Sequence, residues 1–213
     1  MITLIHPSRG RPLKSFNTVK EWLQKARDKV EVIVSIDTDD PYKQEYKDLY
    51  LDTETPLFVN PNESLVEATN IICPHATGDI LLYLSDDFEC PWDWDVMIEA
   101  EFAGIDGPCL LKVHDMLQEF DNTVLTIPIM NQALYKRLGY FWFPEFKSQW
   151  VDVHLYLVCE KLGVMKLAPN LKFPHNHFST GLCANDETYK RSVANWKQGE
   201  DVLNRQKELG LPV

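Results

Sequence analysis

The chain has 213 residues, of which 45% are hydrophobic and 11% aromatic, and this is enough apolar material for the core of one domain. A formal net charge of -11 excludes a general electrostatic attraction to nucleic acid, although a local basic groove stays possible. No apolar run is long enough to span a bilayer, and the N-terminus lacks the pattern of a secretion signal.

The cysteines bear on the cellular compartment. There are five of them, an odd number, widely spaced and without a C-x-x-C pair. They indicate neither a disulfide framework nor a structural zinc site. Together with the missing signal pattern, they favour a cytoplasmic protein. Their positions are Cys73, Cys90, Cys109, Cys159 and Cys183.

Strand patterns alternate with helix patterns from the N-terminus. The predicted strands cover 2–6, 30–36, 56–60 and 80–84. The predicted helices between them cover 12–28, 42–50 and 63–76. This order predicts parallel strands joined by helical crossovers. We therefore expect an α/β fold with a mostly parallel central sheet and helices on both faces.

The second half of the chain has fewer sequence patterns that predict secondary structure. Residues 121–140 predict a strand that leads into a short helix, and apolar residues after Asp152 predict another helix. The charged stretch 185–210 predicts a single helix. One plausible face of that helix consists of Tyr189, Val193, Trp196 and Leu203. No internal repeat or Ser/Gly-rich linker divides the chain, so we expect one domain over 1–213.

Polar loops follow all four predicted strands. They are HPSRGRP (6–12), DTDDP (37–41), NPNES (60–64) and SDDFECP (85–91). In a parallel sheet, ligands bind beyond the carboxyl ends of the strands, where the strand order reverses. Loops are polar in any protein, yet four such loops in succession favour a shared ligand site.

Two adjacent carboxylates, Asp86 and Asp87, follow the fourth predicted strand. Carboxylates repel each other and are seldom buried without a partner, so the pair indicates either a bound cation or a solvated turn. Oxygen ligands of this kind suit Mg²⁺ or Mn²⁺. His175 and His177 would face the same way on an extended segment, and an imidazole ligand favours Mn²⁺ over Mg²⁺. A structural role for either histidine stays open.

The order of these motifs resembles that of the nucleotide-diphosphosugar glycosyltransferases of the GT-A fold, in their inverting, family-two-like form. The matching features are SRGRP after the first strand, an aspartate after the second, the spacing of Asn62, Asn70, Gly78 and Asp79, and SDD after the fourth. Segment 139–163 resembles the acceptor side of that family, and HNHF (175–178) resembles its late metal-binding histidine. The resemblance spans nearly the whole chain and suggests a minimal member, of the kind that bacteria or their viruses encode.

The resemblance implies a single domain with a nucleotide-sugar-binding half over 1–90 and an acceptor-side half over 91–213. The donor would be a uridine diphosphosugar. Arg9 and Arg11 would contact its phosphate or base, and Asp37, with Asp39 second, would accept a hydrogen bond from the ring N–H of uracil. The further donor-binding residues that the resemblance implies are Asn62, Asn70 and Asp86.

A divalent metal would stabilise the departing diphosphate, and Mn²⁺ is favoured over Mg²⁺. The strict D-x-D pattern lacks its first acid here because residue 85 is serine. The resemblance therefore makes Asp87 the metal ligand, with His177 as the first choice of histidine and His175 as the second.

The resemblance also makes Asp152 the general base of an inverting, single-displacement transfer. An aspartate at the start of a helix is equally a natural N-cap, and the two roles are compatible. If Asp152 were only a cap, His154 or Glu145 would be the next candidates for the base.

Two other functions stay open, because a fold does not fix a function. One is a sugar-nucleotide-binding module without turnover, and the other is a nucleotidyltransferase. Nucleotidyltransferases of this shape usually carry a Gly-rich loop with a lysine after the first strand, whereas HPSRGRP has one glycine and no lysine. The acceptor could be a saccharide, a protein, a metabolite or a hydroxylated DNA base. The compartment would be the host cytoplasm if a virus encodes the protein.

Overall fold

The structure, a computed structural model, describes residues 1–181 and 184–211, so Cys183 lies outside the described residues. The strands are β1 (Ile2–Pro7), β2 (Glu31–Asp37), β3 (Leu57–Asn60), β4 (Ile80–Tyr83), β5 (Leu110–His114), β6 (Ile129–Asn131) and β7 (Met165–Lys172). The helices are α1 (Pro12–Lys25), α2 (Lys43–Tyr50), α3 (Leu65–Asn70), α4 (Trp94–Phe102), α5 (Gln132–Leu138), α6 (Val151–Leu162), α7 (Glu187–Val193) and α8 (Trp196–Glu208). None of the described helices combines the length and the apolar character that crossing a bilayer requires.

The seven strands of the described residues belong to one sheet, in the order β3-β2-β1-β4-β6-β5-β7. β1 pairs in parallel with β2 and β4, β2 pairs in parallel with β3, and β5 pairs in parallel with β7. Only β6 runs antiparallel to its neighbours, β4 and β5. The predicted α/β fold with a mostly parallel sheet is confirmed. Because β2 and β4 lie on opposite sides of β1, the strand order reverses there, and a ligand crevice is expected beyond these carboxyl ends.

Both faces of the sheet are covered, because its strands contribute side chains to two apolar cores. Leu4 and Ile5 are neighbours on β1, and each is fully buried in a different core. Trp22 of α1 and Trp94 of α4 pack in the first core with ring centroids 4.9 Å apart. Helices α3, α5, α6 and α8 cover the second core, where Leu155 is buried. The prediction of helices on both faces is therefore confirmed.

Two predicted helices in the first half are shorter than expected. Helix α1 ends at Lys25, and the predicted helix over 63–76 is divided into α3 and a short 3-10 turn at Cys73–His75. Pro74 explains the division, because it has no N–H to donate to the carbonyl four residues earlier. The later prediction of a strand leading into a short helix within 121–140 is confirmed by β6 and α5.

The single helix predicted over 185–210 was wrong. The chain forms α7 and α8 instead, and it changes direction at residues 194–195. Asp186 is the N-cap of α7, and its side chain accepts hydrogen bonds from the backbone N–H groups of residues 188 and 189. Leu203 is buried in the second core, whereas Val193 and Trp196 are 51% and 50% exposed. The four residues do not form one apolar face, because the helix is interrupted between α7 and α8. The described residues of α7 belong to neither apolar core.

Candidate active site

A cavity with a volume of about 310 Å³ lies beyond the carboxyl ends of β1, β2 and β4. Arg9 and Arg11 reach it from the loop after β1, Asp37 from the end of β2, and Asp86 and Asp87 from the loop after β4. Most of the remaining wall comes from the start of α3, residues 125–126, the segment that leads into α6, residues 175–178 and α7. The sheet topology therefore brings most of the predicted site residues together.

Arg11 is held between two carboxylates at this cavity. Its Nη1 donates to Asp86 Oδ1 at 3.0 Å, while Nε and Nη2 donate to the two oxygens of Asp186 at 2.6 and 2.7 Å. The second oxygen of Asp86 accepts a hydrogen bond from Ser8 at 3.1 Å. Burial opposes the charge of Arg11, but both carboxylates raise the pKa of the guanidinium. Since both oxygens of Asp86 already accept hydrogen bonds, from Arg11 and Ser8, Asp87 is the better candidate for a cation ligand.

Asp37 forms the centre of a second charged group. Its Oδ2 accepts from Arg9 Nη1 at 2.6 Å and its Oδ1 accepts from Asn62 at 3.1 Å. Arg9 also donates to Asp39 at 2.5 Å, and this hydrogen bond lowers the pKa of the exposed Asp39 carboxyl. Arg191 of α7 approaches Asp37 to 3.6 Å. Asp37 and Arg9 line the cavity, whereas Asn62 and Asp39 contact them without lining it.

Asn70 lies apart from the other predicted donor-binding residues. Its Oδ1 accepts hydrogen bonds from the backbone N–H groups of Phe141 and Trp142 at 3.1 and 2.9 Å, and its Nδ2 donates to the carbonyl of Trp142 at 2.7 Å. Trp142 lines the cavity and Asn70 does not. The contacts therefore give Asn70 a structural role in holding the cavity wall. Gly78, from the same spacing pattern, lies two residues before β4, where a Cβ would come within 2.6 Å of Thr3 Oγ1.

Asp87 is buried beside His175. A short antiparallel bridge between Phe88 and His175 brings these two parts of the chain together. Asp87 Oδ2 lies 3.2 Å from His175 Nε2 and accepts a hydrogen bond from the hydroxyl of Tyr189 at 2.5 Å. Burial alone would raise the pKa of Asp87, but the hydrogen bond and the charge of His175, together with the hydrogen bond from Tyr189, lower it. Asp87 is therefore ionised, and its Oδ1 has no hydrogen-bond partner among the described residues.

His177 lines the same part of the cavity. Its Nδ1 lies 2.8 Å from Ser179 Oγ, and its ring contacts His175 and Tyr189 with centroids 5.2 and 5.1 Å away. Burial and the neighbouring His175 lower the pKa of His177, so the imidazole is neutral at pH 7. A neutral imidazole anchored through one nitrogen is the form that binds a metal through the other.

Asp87 and His177 supply some, but not all, of the ligands that a divalent cation needs. Asp87 Oδ1 offers an unpartnered buried oxygen, and the neutral imidazole of His177 offers a nitrogen of the kind that Mn²⁺ accepts. Within 1–181 and 184–211, no group of three His, Cys, Asp or Glu side chains is arranged to hold a metal. The oxygens of a bound diphosphate would therefore have to complete the coordination.

Asp152 lines the cavity from α6. The expectation that it is the helix N-cap was wrong: α6 begins at Val151, and Trp150 takes the N-cap position with a left-handed φ of 70°. The helix therefore starts two residues earlier than expected, and Asp152 is its second residue. Burial raises the pKa of Asp152, the charge of Asp115 adds to this, and hydrogen bonds from the backbone of residues 152 and 153 oppose it.

The two other candidates for a base do not line the cavity. His154 packs between Phe143 and Phe146, with ring centroids 4.8 and 5.3 Å away, and burial lowers its pKa to about 4. Glu145 pairs with Arg205 at the surface. Among these three candidates, Asp152 is thus the one that could contact a substrate.

Sequence reasoning missed the contribution of Asp186 and Tyr189 to this site. Asp186 and Tyr189 contact Arg11 and Asp87, and Arg191 approaches Asp37. It also missed Lys147, which lines the cavity and has no carboxylate partner among the described residues. No motif marks these side chains, because their positions depend on how α7 folds back onto the first half of the chain.

The fold is that of the GT-A glycosyltransferases, and the predicted resemblance to them is confirmed at this level. Residues 1–349 of TarS from S. aureus are 14% identical in sequence to this chain, and the two structures superpose with a TM-score of 0.64. The mannosyltransferase PcManGT from Pyrobaculum calidifontis, in complex with GDP-Man and Mn²⁺, has 15% identity and a TM-score of 0.65. Glucosyl-3-phosphoglycerate synthase from Mycobacterium tuberculosis, in complex with Mn²⁺, UDP and phosphoglyceric acid, has 12% identity and a TM-score of 0.66.

The extent of these similarities differs. The match covers 81% of this chain and 59% of the TarS chain, and 82% of this chain and 56% of PcManGT. The chain thus spans less than two thirds of the length of either protein. For glucosyl-3-phosphoglycerate synthase the match covers 100% of this chain and 80% of the other. No protein-family model and no curated protein sequence matches the chain.

Proposed function

We propose that the protein is a metal-dependent glycosyltransferase, which moves a sugar from a uridine diphosphosugar to an acceptor hydroxyl with inversion. One observation carries the proposal: a single cavity at the reversal of strand order is lined by the arginines after β1, by Asp87 with an unpartnered oxygen, and by Asp152. The GT-A fold supports it, since the proteins with similar structures are nucleotide-sugar glycosyltransferases.

The proposed metal ligands are Asp87 and His177, with His175 as the alternative histidine. When bound there, a divalent cation stabilises negative charge on the leaving diphosphate. Manganese is preferred to magnesium in this proposal because an imidazole is among the ligands. Two of the similar structures contain Mn²⁺, which supports a divalent metal.

The proposed uridine site lies at the ends of β1 and β2. Asp37 accepts the N3–H of uracil, and Arg9 and Asn62 hold the Asp37 carboxylate in place. Lys147 and Arg191 add positive charge to the cavity wall, which favours a diphosphate. The identity of the nucleobase remains to be tested, because TarS structures contain UDP or UDP-GlcNAc whereas PcManGT contains GDP-Man.

Asp152 is the proposed general base. Its carboxylate removes the proton of the acceptor hydroxyl while that oxygen forms a bond to the anomeric carbon, and the bond from this carbon to the diphosphate breaks on the opposite face. A carboxylate with a raised pKa is suited to the role, because it holds the transferred proton more strongly than an exposed aspartate would. The acceptor would be a saccharide, a protein, a metabolite or a hydroxylated DNA base.

We also propose that residues 1–90 bind most of the nucleotide and that residues 91–213 form the acceptor side. Segment 175–177 and α7 are the exceptions, since they contact donor-side residues. A cytoplasmic location is supported by the four described cysteines, Cys73, Cys90, Cys109 and Cys159, all of which are buried free thiols.

A donor panel tests the proposal. The protein is incubated with UDP-glucose, GDP-mannose and other nucleotide sugars, in Mn²⁺ or in EDTA, with water as the acceptor of the sugar, and released nucleotide is measured. We expect release of UDP that requires Mn²⁺, and a larger rise in melting temperature with UDP than with GDP, CDP or ADP. Binding of UDP without any release would indicate a binding module, and a preference for a purine nucleotide would contradict the uridine assignment.

A further inference from the structure

We infer that Tyr189 is a positioning residue for the metal site, whose hydroxyl orients Asp87 so that Oδ1 is presented to the cation. The inference rests on the proposed metal-dependent function. It assigns a role in that function to a helix that no sequence motif connects with the site.

The hydrogen bonds of Asp87 are distributed unequally. Tyr189 donates to Oδ2 at 2.5 Å, and His175 Nε2 lies 3.2 Å from the same oxygen. Oδ1 is buried and has no partner among the described residues. A buried carboxylate oxygen without a partner is costly, so this arrangement indicates that Oδ1 receives a ligand from outside the chain.

The ring of Tyr189 is fixed by other residues of the same site. The guanidinium carbon of Arg11 lies 4.3 Å from the ring centroid, a cation–π contact. The rings of His177 and Phe178 lie 5.1 and 4.8 Å away. These contacts hold the hydroxyl in one place, so it can set the orientation of Asp87 before a cation binds.

Helix α7 is itself anchored at both sides of Tyr189. Asp186 caps the helix and pairs with Arg11, and Thr188 Oγ1 donates to the carbonyl of Arg9 at 2.9 Å. On the other side, Arg191 Nη2 donates to the carbonyl of Glu63 at 3.2 Å. Because none of these contacts involves Asp87, removing the Tyr189 hydroxyl should leave α7 in position.

Mn²⁺ binding to Tyr189→Phe tests the inference without depending on turnover. Free Mn²⁺ is measured by electron paramagnetic resonance during titration of the protein, with and without UDP. Loss of a group that orients a metal ligand typically weakens metal affinity by about 10- to 100-fold. We expect a loss in this range for Tyr189→Phe, while UDP binding in EDTA and the near-UV circular dichroism remain those of the wild type.

Thr188→Val is the matched control, since it removes a hydroxyl from the same helix without touching Asp87. It should retain the wild-type affinity for Mn²⁺. A double-mutant cycle with Asp87→Asn adds a second measurement. In the Asp87→Asn background, the Tyr189→Phe substitution should cause no further loss, because the hydroxyl acts through the carboxylate.

Equal or tighter Mn²⁺ binding by Tyr189→Phe would overturn the inference and leave the proposed function standing. An equal loss in Thr188→Val would also overturn it, because a general loosening of α7 would then explain the effect. If the wild-type protein bound no Mn²⁺ in the presence of UDP, the metal-dependent function would fail, and the inference with it.

Discussion

Arg11 and Asp186 are separated by 175 positions in the sequence, yet they form two parallel hydrogen bonds of 2.6 and 2.7 Å. Such a fork between a guanidinium and a carboxylate fixes distance and orientation together. The pair therefore holds the start of α7 against the loop after β1, so this side of the cavity is formed by residues that are far apart in the sequence.

Asp152→Asn tests the general base. We expect the release of UDP from the donor to fall by about 10²- to 10⁴-fold, because a general base contributes rate enhancement of this order. UDP affinity should be unchanged, since Asp152 is not among the residues proposed to bind the nucleotide. The matched control is Glu145→Gln, which removes an acid that lies outside the cavity. Wild-type release by a folded Asp152→Asn protein would exclude the proposed role.

The pH dependence provides a second test of Asp152. Burial raises its pKa in the folded protein, so turnover should decline on acidification at a higher pH than the ordinary carboxyl value of about 4 would give. The native state also holds this proton more tightly than the unfolded state does. Stability should therefore fall as pH rises from the unfolded pKa through the raised folded value.

Asp152→Asn should abolish that slope, and the melting temperature of the variant above this pH range should equal or exceed that of the wild type. Turnover profiles and denaturant titrations across a pH series measure the two effects. An acidic limb of the turnover profile centred at an ordinary carboxyl pKa, or below it, would contradict the assignment.

Asp87→Asn tests the metal ligand. The substitution removes the negative charge while keeping the side-chain shape, so UDP affinity in Mn²⁺ should fall towards the value measured in EDTA. Loss of hydrogen bonds from Tyr189 and His175 to a charged acceptor should also cost about 1.5–3 kcal/mol of stability. Calorimetry with UDP in both buffers measures the first effect, and denaturant unfolding measures the second.

Asp79→Asn is the control for Asp87→Asn, because it makes the same change of charge at an exposed position at the start of β4. It should bind UDP in Mn²⁺ as the wild type does. Full Mn²⁺-dependent binding by Asp87→Asn would remove this residue from the metal site.

Asn70→Ala separates the structural role of Asn70 from the donor-binding role that the motif spacing implied. The variant leaves backbone groups of Phe141 and Trp142 without partners, and unsatisfied buried groups cost about 1–3 kcal/mol each. For a chain of this size, each kcal/mol lowers the melting temperature by about 2–4 °C. UDP affinity measured well below the transition should be unchanged. A loss of UDP affinity with normal melting would instead support a direct contact with the donor.

Alternation of strands and helices made the fold predictable. Apolar periodicity is local, and the resulting β–α–β order leaves few topologies, so the positions of Arg9, Asp37 and Asp87 at one edge followed from the sequence. Pairing of charges was not predictable in this way. Whether Asp86 binds a cation or neutralises Arg11 depends on distances across the cavity, which no spacing in the sequence encodes.

The same limit applies to amide and aromatic side chains. The spacing that includes Asn70 is compatible with a side chain facing either the cavity or the backbone of Trp142, and only the packed structure separates the two. Tyr189 was expected on a helix face with Val193 and Trp196. Tyr189 and Val193 line the cavity instead, and Leu203 is buried in the second core, because the chain turns between α7 and α8.

The late position of α7 also determines when the cavity can form during synthesis. All seven strands have been translated once Lys172 is in place, so the sheet can pair while α7 has yet to leave the ribosome. Until then Arg11 lacks its second carboxylate and Asp87 lacks the hydroxyl of Tyr189. The pairing of the described strands thus involves no residue of α7, whereas the cavity wall beside Arg11 and Asp87 is complete only when α7 is in place.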